Sequence, residues 1–271
     1  MMPRRNAGHL HNIMFFFAYM VKTYGKMEKE YIVIPDVHGR KFWREAVKGN
    51  EDKRIVFLGD YLDPYSFEGV TYLDAFNEFN DILAFKKQHP DNVTLLLGNH
   101  DLGYLNPDIC LVRHDFERSE YYRKVLSENI ALFNLVALGC LADHEVLFSH
   151  AGVRTEWLEY NNWLFNPDDF KPEILNTLLH DEERREDLFI TLADLTRYRG
   201  GMSCAGSVVW ADAREFIDAN DELPGYFQIF GHTLHRDGPW RIDEHLWCVD
   251  CAKAFVLKPS DDKSHIQLIP I

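Results

Sequence analysis

Five short apolar runs in this chain each end in a turn carrying Asp, His or Asn, and this recurrence constrains the fold more than any other feature. YIVIP (31–35) leads into Asp36-Val37-His38-Gly39, and RIVFL (54–58) leads into Gly59-Asp60-Tyr61-Leu62-Asp63. VTLLL (93–97) leads into Gly98-Asn99-His100-Asp101, EVLFS (145–149) into His150-Ala151-Gly152, and YFQIF (226–230) into Gly231-His232-Thr233. Runs that are apolar throughout, rather than alternating, belong to strands buried on both faces. Between them, residues 41–48 and 72–89 read as helices, the second with Tyr72, Leu73, Phe76, Phe79, Leu83 and Phe85 at helical spacing. Strand–helix alternation predicts an α/β fold with a mostly parallel sheet and helices on both faces. Residues 168–198 are polar, charge-rich and helical, as an inserted cap would be, and LWCV, AFVL and HIQLI close the chain with hairpin-like spacing. With no internal repeat or linker, the expectation is one domain over 27–271 with a helical insertion at about 153–206.

The 271 residues are 46% hydrophobic, 14% aromatic and 27% charged, which excludes a disordered or fibrous chain. Against 29 basic residues stand 43 acidic ones, and the net charge of −14 would repel a nucleic-acid backbone. No DNA or RNA partner is expected on electrostatic grounds. Cys110, Cys140, Cys204, Cys248 and Cys251 are odd in number and scattered, as in a reducing compartment, so the expected location is cytoplasmic. The apolar stretch IMFFFAYMV (13–21) is shorter than the roughly 20 residues a bilayer needs, and no small-residue cleavage site follows it. Met27 opens directly onto the first strand, so residues 1–26 read as a non-native or disordered extension, with an appended helix or a targeting segment as alternatives. No membrane partner is expected.

In open α/β sheets a ligand binds at the carboxyl ends of the strands. Five turns there would bring Asp, His and Asn to a single site. Carboxylate, imidazole and amide oxygen, without thiolate, suit hard or borderline dications such as Mn, Fe or Zn. The candidates are too many for one ion, and a carboxylate can bridge two. Paired dications about 3.5–4 Å apart are the usual device for hydrolysing phosphate esters. Any one of these turns alone is ordinary loop sequence, and it is the ordered set that points to chemistry.

The series DVHG, GDYLD, GNHD, SHAG and GHT resembles the calcineurin-like metallophosphoesterases. It is most similar to their serine/threonine protein phosphatase branch with its bacterial relatives, whose motifs are GDxHG, GDxVDR, GNHE, HAG or HGG, and GHT. The resemblance runs from about Tyr31 to Asp250 and implies a two-layered β-sandwich flanked by helices, with two divalent metal ions at one edge. It implies that Asp36, His38 and Asp60 hold the first ion, and that Asp60 bridges to a second held also by Asn99, His150 and His232. It assigns His100 as the general acid and Asp63 as the partner that orients it. A hydroxide bridging the two ions would attack the phosphoryl group in line, and an imidazole held by a carboxylate would protonate the leaving oxygen.

The chain departs from that pattern in places. The branch follows GDxVD with a phosphate-contacting arginine, and here Pro64 stands there. Arg199, in RYRGG (197–201), is the first candidate for a replacement, with Arg113 and Arg214 behind it and a surface role as the alternative. The broader superfamily often ends in Gly-His-x-His, but here Leu234 takes the final position and His235 comes one residue late, so His235 is not counted as a ligand. Asp101 stands where the family has Glu and is read as structural. Cys248 and Cys251 read as buried strand cysteines, Asp250 as a carboxylate behind the site, and Trp210 as crevice or core. The expected function is hydrolysis of a phosphate monoester, on a phosphoprotein or a small molecule. A dinucleoside polyphosphate or nucleotide hydrolase is the enzymatic alternative, and a non-catalytic scaffold the other.

Overall fold

The computed structural model describes residues 30–106, 113–262 and 264–271. The extension 1–26 and Cys110 lie outside the described residues. Four short strands, β1 (Tyr31–Ile34), β2 (Arg54–Phe57), β3 (Val93–Leu96) and β4 (Phe133–Asn134), run parallel side by side. A second sheet forms from β5 (Val136–Leu141), β6 (His144–Ser149), β7 (Phe227–Phe230), β8 (Trp240–Arg241) and β9 (Leu246–Cys248), in the order β5-β6-β7-β9-β8. The chain then returns to the first sheet, where β10 (Phe255–Pro259) pairs antiparallel with β1 and β11 (Ile266–Pro270) with β10.

Alternation along the strands decides what each layer meets. Tyr31, Val33, Val56, Leu58 and Leu96 point toward the second sheet and pack with Val146, Phe148, Phe227, Ile229 and Trp247. Ile32, Ile34, Ile55 and Phe57 point the other way, onto the helical layer carrying Trp43, Phe76, Phe79 and Ile82. One sheet with helices on both faces is therefore replaced by two sheets back to back, as the family resemblance implied. A strand buried on both faces reads the same in sequence whether a helix or a second sheet covers it.

Helices α1 (Phe42–Val47) and α2 (Tyr72–Gln88) fall where the spacing places them. Thr71 starts α2 with a capping box, its hydroxyl accepting from the Asp74 N–H and the Asp74 carboxylate accepting from the Thr71 N–H. The chain continues through α3 (Asn99–Leu105) and α4 (Ser119–Glu128), and then α5 (Thr155–Tyr160), α6 (Glu173–His180) and α7 (Arg185–Leu192) before α8 (Ala213–Ala219). The segment expected to be a polar insertion is apolar inside, since Trp157, Leu175, Leu178, Leu179, Leu188 and Leu192 are buried in the same cluster as the first sheet. The β5–β6 hairpin turns through Ala142 and Asp143, both with left-handed backbone, which suits the twist of an antiparallel pair. Among the described residues no helix is long and apolar enough to cross a membrane.

Candidate metal centre

The strands β1, β2 and β3 of one sheet and β6 and β7 of the other end at a common edge, and the turn after each brings its polar residue to the same point. Packing there is tight enough to demand glycine at two positions. A Cβ on Gly98 would collide with the Asp60 carboxylate and lie 2.6 Å from the Asp60 backbone nitrogen, and one on Gly231 would collide with the Asp36 carboxylate. Asp101 ties the turns together, its carboxylate accepting N–H bonds from Asp60, Tyr61 and Gly98. Burial first, and the Asp60 charge second, push the Asp101 carboxyl well above its usual range. Its place is structural, with three backbone groups held and none of its atoms in the ligand groups described below.

Asp60 sits between two clusters of donor atoms. Its Oδ2 lies 3.5 Å from His38 Nε2, which is 3.9 Å from Asp36 Oδ2. Its Oδ1 lies 3.6 Å from His150 Nε2, which in turn is 3.0 Å from Asn99 Oδ1 and 3.1 Å from His232 Nδ1. Ligand atoms around an ion held at about 2.1 Å stand about 3.0–3.5 Å apart, so the second cluster is close to the size a dication needs. The first is looser on the Asp36 side, and the donor atoms that lie close together there are those of His38, Asp60 and His100. The tautomers agree with this. His38 Nδ1 and His150 Nδ1 each donate to a backbone carbonyl, of Leu62 at 2.9 Å and Leu58 at 2.8 Å, which leaves both Nε2 lone pairs directed inward. Around His150 a carboxylate oxygen, an amide oxygen and imidazole nitrogens converge, a donor set that suits a dication.

The electrostatics favour the ligand forms of His38, His232 and Asp60, but not of Asp36. Burial drives the His38 and His232 imidazoles well below their usual range, with the Arg199 charge assisting at His232, so both are neutral. Burial alone would raise Asp60, but its interactions with the surrounding His150, His100 and His38 imidazoles and the His100 N–H outweigh it and hold the carboxyl down at about 2. Asp36 is raised by burial and by Asp60, and its Oδ1 accepts the His232 N–H at 2.9 Å.

His100 stands beside this pair of clusters. Its Nδ1 is 2.8 Å from Asp63 Oδ2, so the carboxylate orients the ring and leaves Nε2 facing the centre. That nitrogen and His38 Nε2 are each 3.3 Å from Arg113 Nη2, and the Arg113 Nε donates to the Asp63 carbonyl at 3.1 Å. The Arg113 guanidinium lies 3.7 Å from the centre of the Tyr65 ring. Arg113, ranked second from sequence, is thus the arginine beside the first cluster, and Tyr65 follows the Pro64 that displaced the expected one. Arg199 approaches from the opposite side, its Nε 3.0 Å from Asp212 Oδ2 and its Nη2 donating to Thr233 Oγ1 at 2.8 Å. Arg214 is half-exposed and paired with Asp212. His235 turns its ring toward the Gly238 carbonyl.

Trp210 lies edge-on to His232 with ring centres 5.7 Å apart, so it lines the second cluster. Asp250 is buried behind the first, and its Oδ1 has no hydrogen-bond partner. Cys248 and Cys251 are both buried, and Cys248 Sγ donates to the carbonyls of Gly231 and Thr233. Tyr104 escaped the sequence reading altogether. Its hydroxyl donates to Asp63 Oδ1, and the available signal was its place four residues after His100.

The calcineurin-like phosphoesterase family profile matches residues 31–236, which takes in all five turns. The chain belongs to that family. A serine/threonine-protein phosphatase of Caenorhabditis elegans is 29% identical over 103 residues, covering 38% of this chain and 21% of that protein. The serine/threonine-protein phosphatase 6 catalytic subunit of Drosophila melanogaster is 24% identical over 215 residues, 76% of this chain and 57% of its own length. The chain thus spans only part of the curated relatives it matches. Two solved structures share the fold of this phosphoesterase. A cold-active protein-tyrosine phosphatase of a psychrophilic Shewanella species superposes with a TM-score of 0.55 at 14% identity, covering 90% of this chain and 81% of that one. A protein serine/threonine phosphatase of Saccharomyces cerevisiae does so with a TM-score of 0.54 at 16% identity, covering 91% and 81%.

Proposed function

We propose that this calcineurin-like phosphoesterase is a dinuclear metal-dependent phosphatase that hydrolyses phosphate monoesters. The observation that carries the reading is the two-sided Asp60 carboxylate, with Oδ2 turned to His38 and Oδ1 turned to His150. Asp36, His38 and Asp60 hold one dication, and Asp60, Asn99, His150 and His232 hold the other. When bound, two such ions supply Lewis acidity and a water of lowered pKa. The protein's own part is to grip the phosphoryl group and deliver a proton. Arg199 meets the phosphoryl oxygens on the His232 side, where a charged contact is directional and strong. His100, oriented by Asp63, protonates the departing oxygen. The phosphatase names of the relatives support the class of reaction, and the insertion at about 153–206 is the part of this domain that bears on substrate choice.

Two variants separate metal binding from proton transfer. Asp60→Asn should lose bound Mn from both sites by elemental analysis, together with activity. His100→Asn should keep its metal but lose about 10²–10⁴-fold in rate on an alkyl phosphate. Its loss on p-nitrophenyl phosphate should be smaller, because that leaving group scarcely needs a proton. A His100→Asn protein without metal, or fully active on alkyl phosphates, overturns the assignment. A panel of phosphopeptides, sugar phosphates and dinucleoside polyphosphates sets the substrate class, and exclusive turnover of the last would replace the monoesterase reading.

A further inference from the structure

We propose that Tyr104 is a positioning residue that sets His100 and Arg113 in one frame, an inference that rests on the phosphatase reading above. The Tyr104 hydroxyl lies at the junction of two pieces of the site. It donates to Asp63 Oδ1, while the other oxygen of the same carboxylate holds His100 Nδ1 at 2.8 Å. It also accepts the backbone N–H of Asp115 at 2.9 Å. The Tyr104 ring stacks on His114 with ring centres 4.1 Å apart and planes 21° from parallel. Residues 113–115 therefore clasp Tyr104 by one hydrogen bond and one ring face, and Arg113 is the first residue of that clasp. The clasp is itself braced, because the Asp115 carboxylate accepts from the Tyr122 hydroxyl at 2.9 Å and from Arg118 at 3.0 Å.

The Arg113 guanidinium is then fixed at two points away from the metal ligands, its Nε on the Asp63 carbonyl and its face on Tyr65, with its Nη2 beside His100 Nε2. With Pro64 in place of an arginine, this fold brings its cation from a segment fifty residues away and uses Tyr65 as the surface it rests on. Tyr104 is almost fully buried, and burial together with the Asp63 charge pushes its phenol far above the usual range, so the hydroxyl remains a donor. Asp63 Oδ1 and the Asp115 N–H would both lose a partner in Tyr104→Phe, and the ring packing would stay.

The experiment uses Mn-loaded full-length protein with Tyr104→Phe, Arg113→Ala and the double variant. Metal content should be unchanged in all three. For Tyr104→Phe, KM should rise about 10-fold on both p-nitrophenyl phosphate and phosphoserine, as Arg113 loses its place. Its kcat should fall about 10-fold on phosphoserine and little on p-nitrophenyl phosphate, as His100 loses its orientation. In the Arg113→Ala background Tyr104→Phe should add nothing to KM yet still lower kcat on phosphoserine, the non-additivity of two residues acting through one contact. Equal kcat losses on both substrates, an additive effect on KM, or no change in either constant overturns the proposal. Calorimetric titration with inorganic phosphate reads the Arg113 arm without turnover, so unchanged phosphate affinity in Tyr104→Phe overturns it even if the wild type hydrolyses no ester. A wild type that binds Mn and phosphate but hydrolyses nothing would refute the phosphatase reading instead.

Discussion

At the residue scale, four of the side chains assigned to the chemistry stand on left-handed backbone: His38 at φ 46°, Asp60 at 53°, Asp63 at 57° and His232 at 65°. Such conformations cost non-glycine residues about 1–3 kcal/mol each, and they persist only where the surroundings determine them. Here the Val37 and His38 N–H groups both donate to the Asp60 carbonyl, and Asp101 holds the Asp60 N–H in turn. Gly98→Ala should therefore expel Asp60 from its place and weaken Mn binding, read by calorimetry, while the strands survive. Full metal affinity in that variant would show that the turn can yield. Asp250 offers a test by pH. Burial, and then the Asp36 charge, raise its carboxyl well above the usual range despite the opposing Arg40. From about pH 3.9, the unfolded value, up to its folded value the native state keeps a proton that the unfolded chain has lost. The contribution of Asp250 to stability is therefore intact at low pH and falls as pH rises through that window. Without metal, Asp250→Asn should match the wild-type Tm near pH 4 and exceed it increasingly toward pH 7. A difference independent of pH would contradict this.

At the element scale, short segments do the aiming. The α3 helix begins immediately after β3, so Asn99 and His100 occupy its first turn while the Asp101 carboxylate holds the Gly98 N–H. The one-turn helix Arg197–Arg199, started by Thr196, ends in left-handed Gly200 and turns Arg199 toward the loop after β7. There Arg199 forms an ion pair with Asp212, whose carboxyl burial would raise but Arg214 and Arg199 draw down. Arg199→Ala should raise KM for p-nitrophenyl phosphate about 10- to 150-fold, the range for a charged phosphate contact of about 1.5–3 kcal/mol. An unchanged KM, with only Tm lowered, would make Arg199 a brace for Asp212 and Thr233 alone. RYRGG was legible as an arginine bounded by glycines, but its direction was not, because that depends on the Asp212 it meets.

At the scale of the whole molecule, the site is a seam. Asp36, His38, Asp60 and Asn99 come from strand ends of one sheet, and His150 and His232 from strand ends of the other. An ion held by Asp60, Asn99, His150 and His232 would therefore cross-link the two layers. Anything that binds only the native state stabilises it, by about 2.7 kcal/mol at a hundredfold excess over Kd. Adding Mn should raise Tm, and a chelator should reverse the gain. Amide exchange should slow at the carboxyl ends of both β1–β3 and β6–β7. Protection confined to the first sheet would mean that His150 and His232 do not share an ion with Asp60.

What the sequence determined by itself were most of the strands, though not β4, β5 or β8, together with the two principal helices and the residues at the strand ends. Those follow from local patterns: continuous burial in YIVI, helical spacing from Tyr72 onward, and polar residues set beside glycine where a strand stops. The family followed from the order of the turns. Only the tertiary structure decided which layer covered each strand, because Val33 and Ile34 are equally apolar although one meets a sheet and the other a helix. It alone paired Asp60 with His150, brought Arg113 onto Tyr65 and placed Tyr104 under Asp63. Those contacts join residues tens of positions apart, and the distance between such residues is set by how the layers stack, a quantity that no local pattern encodes.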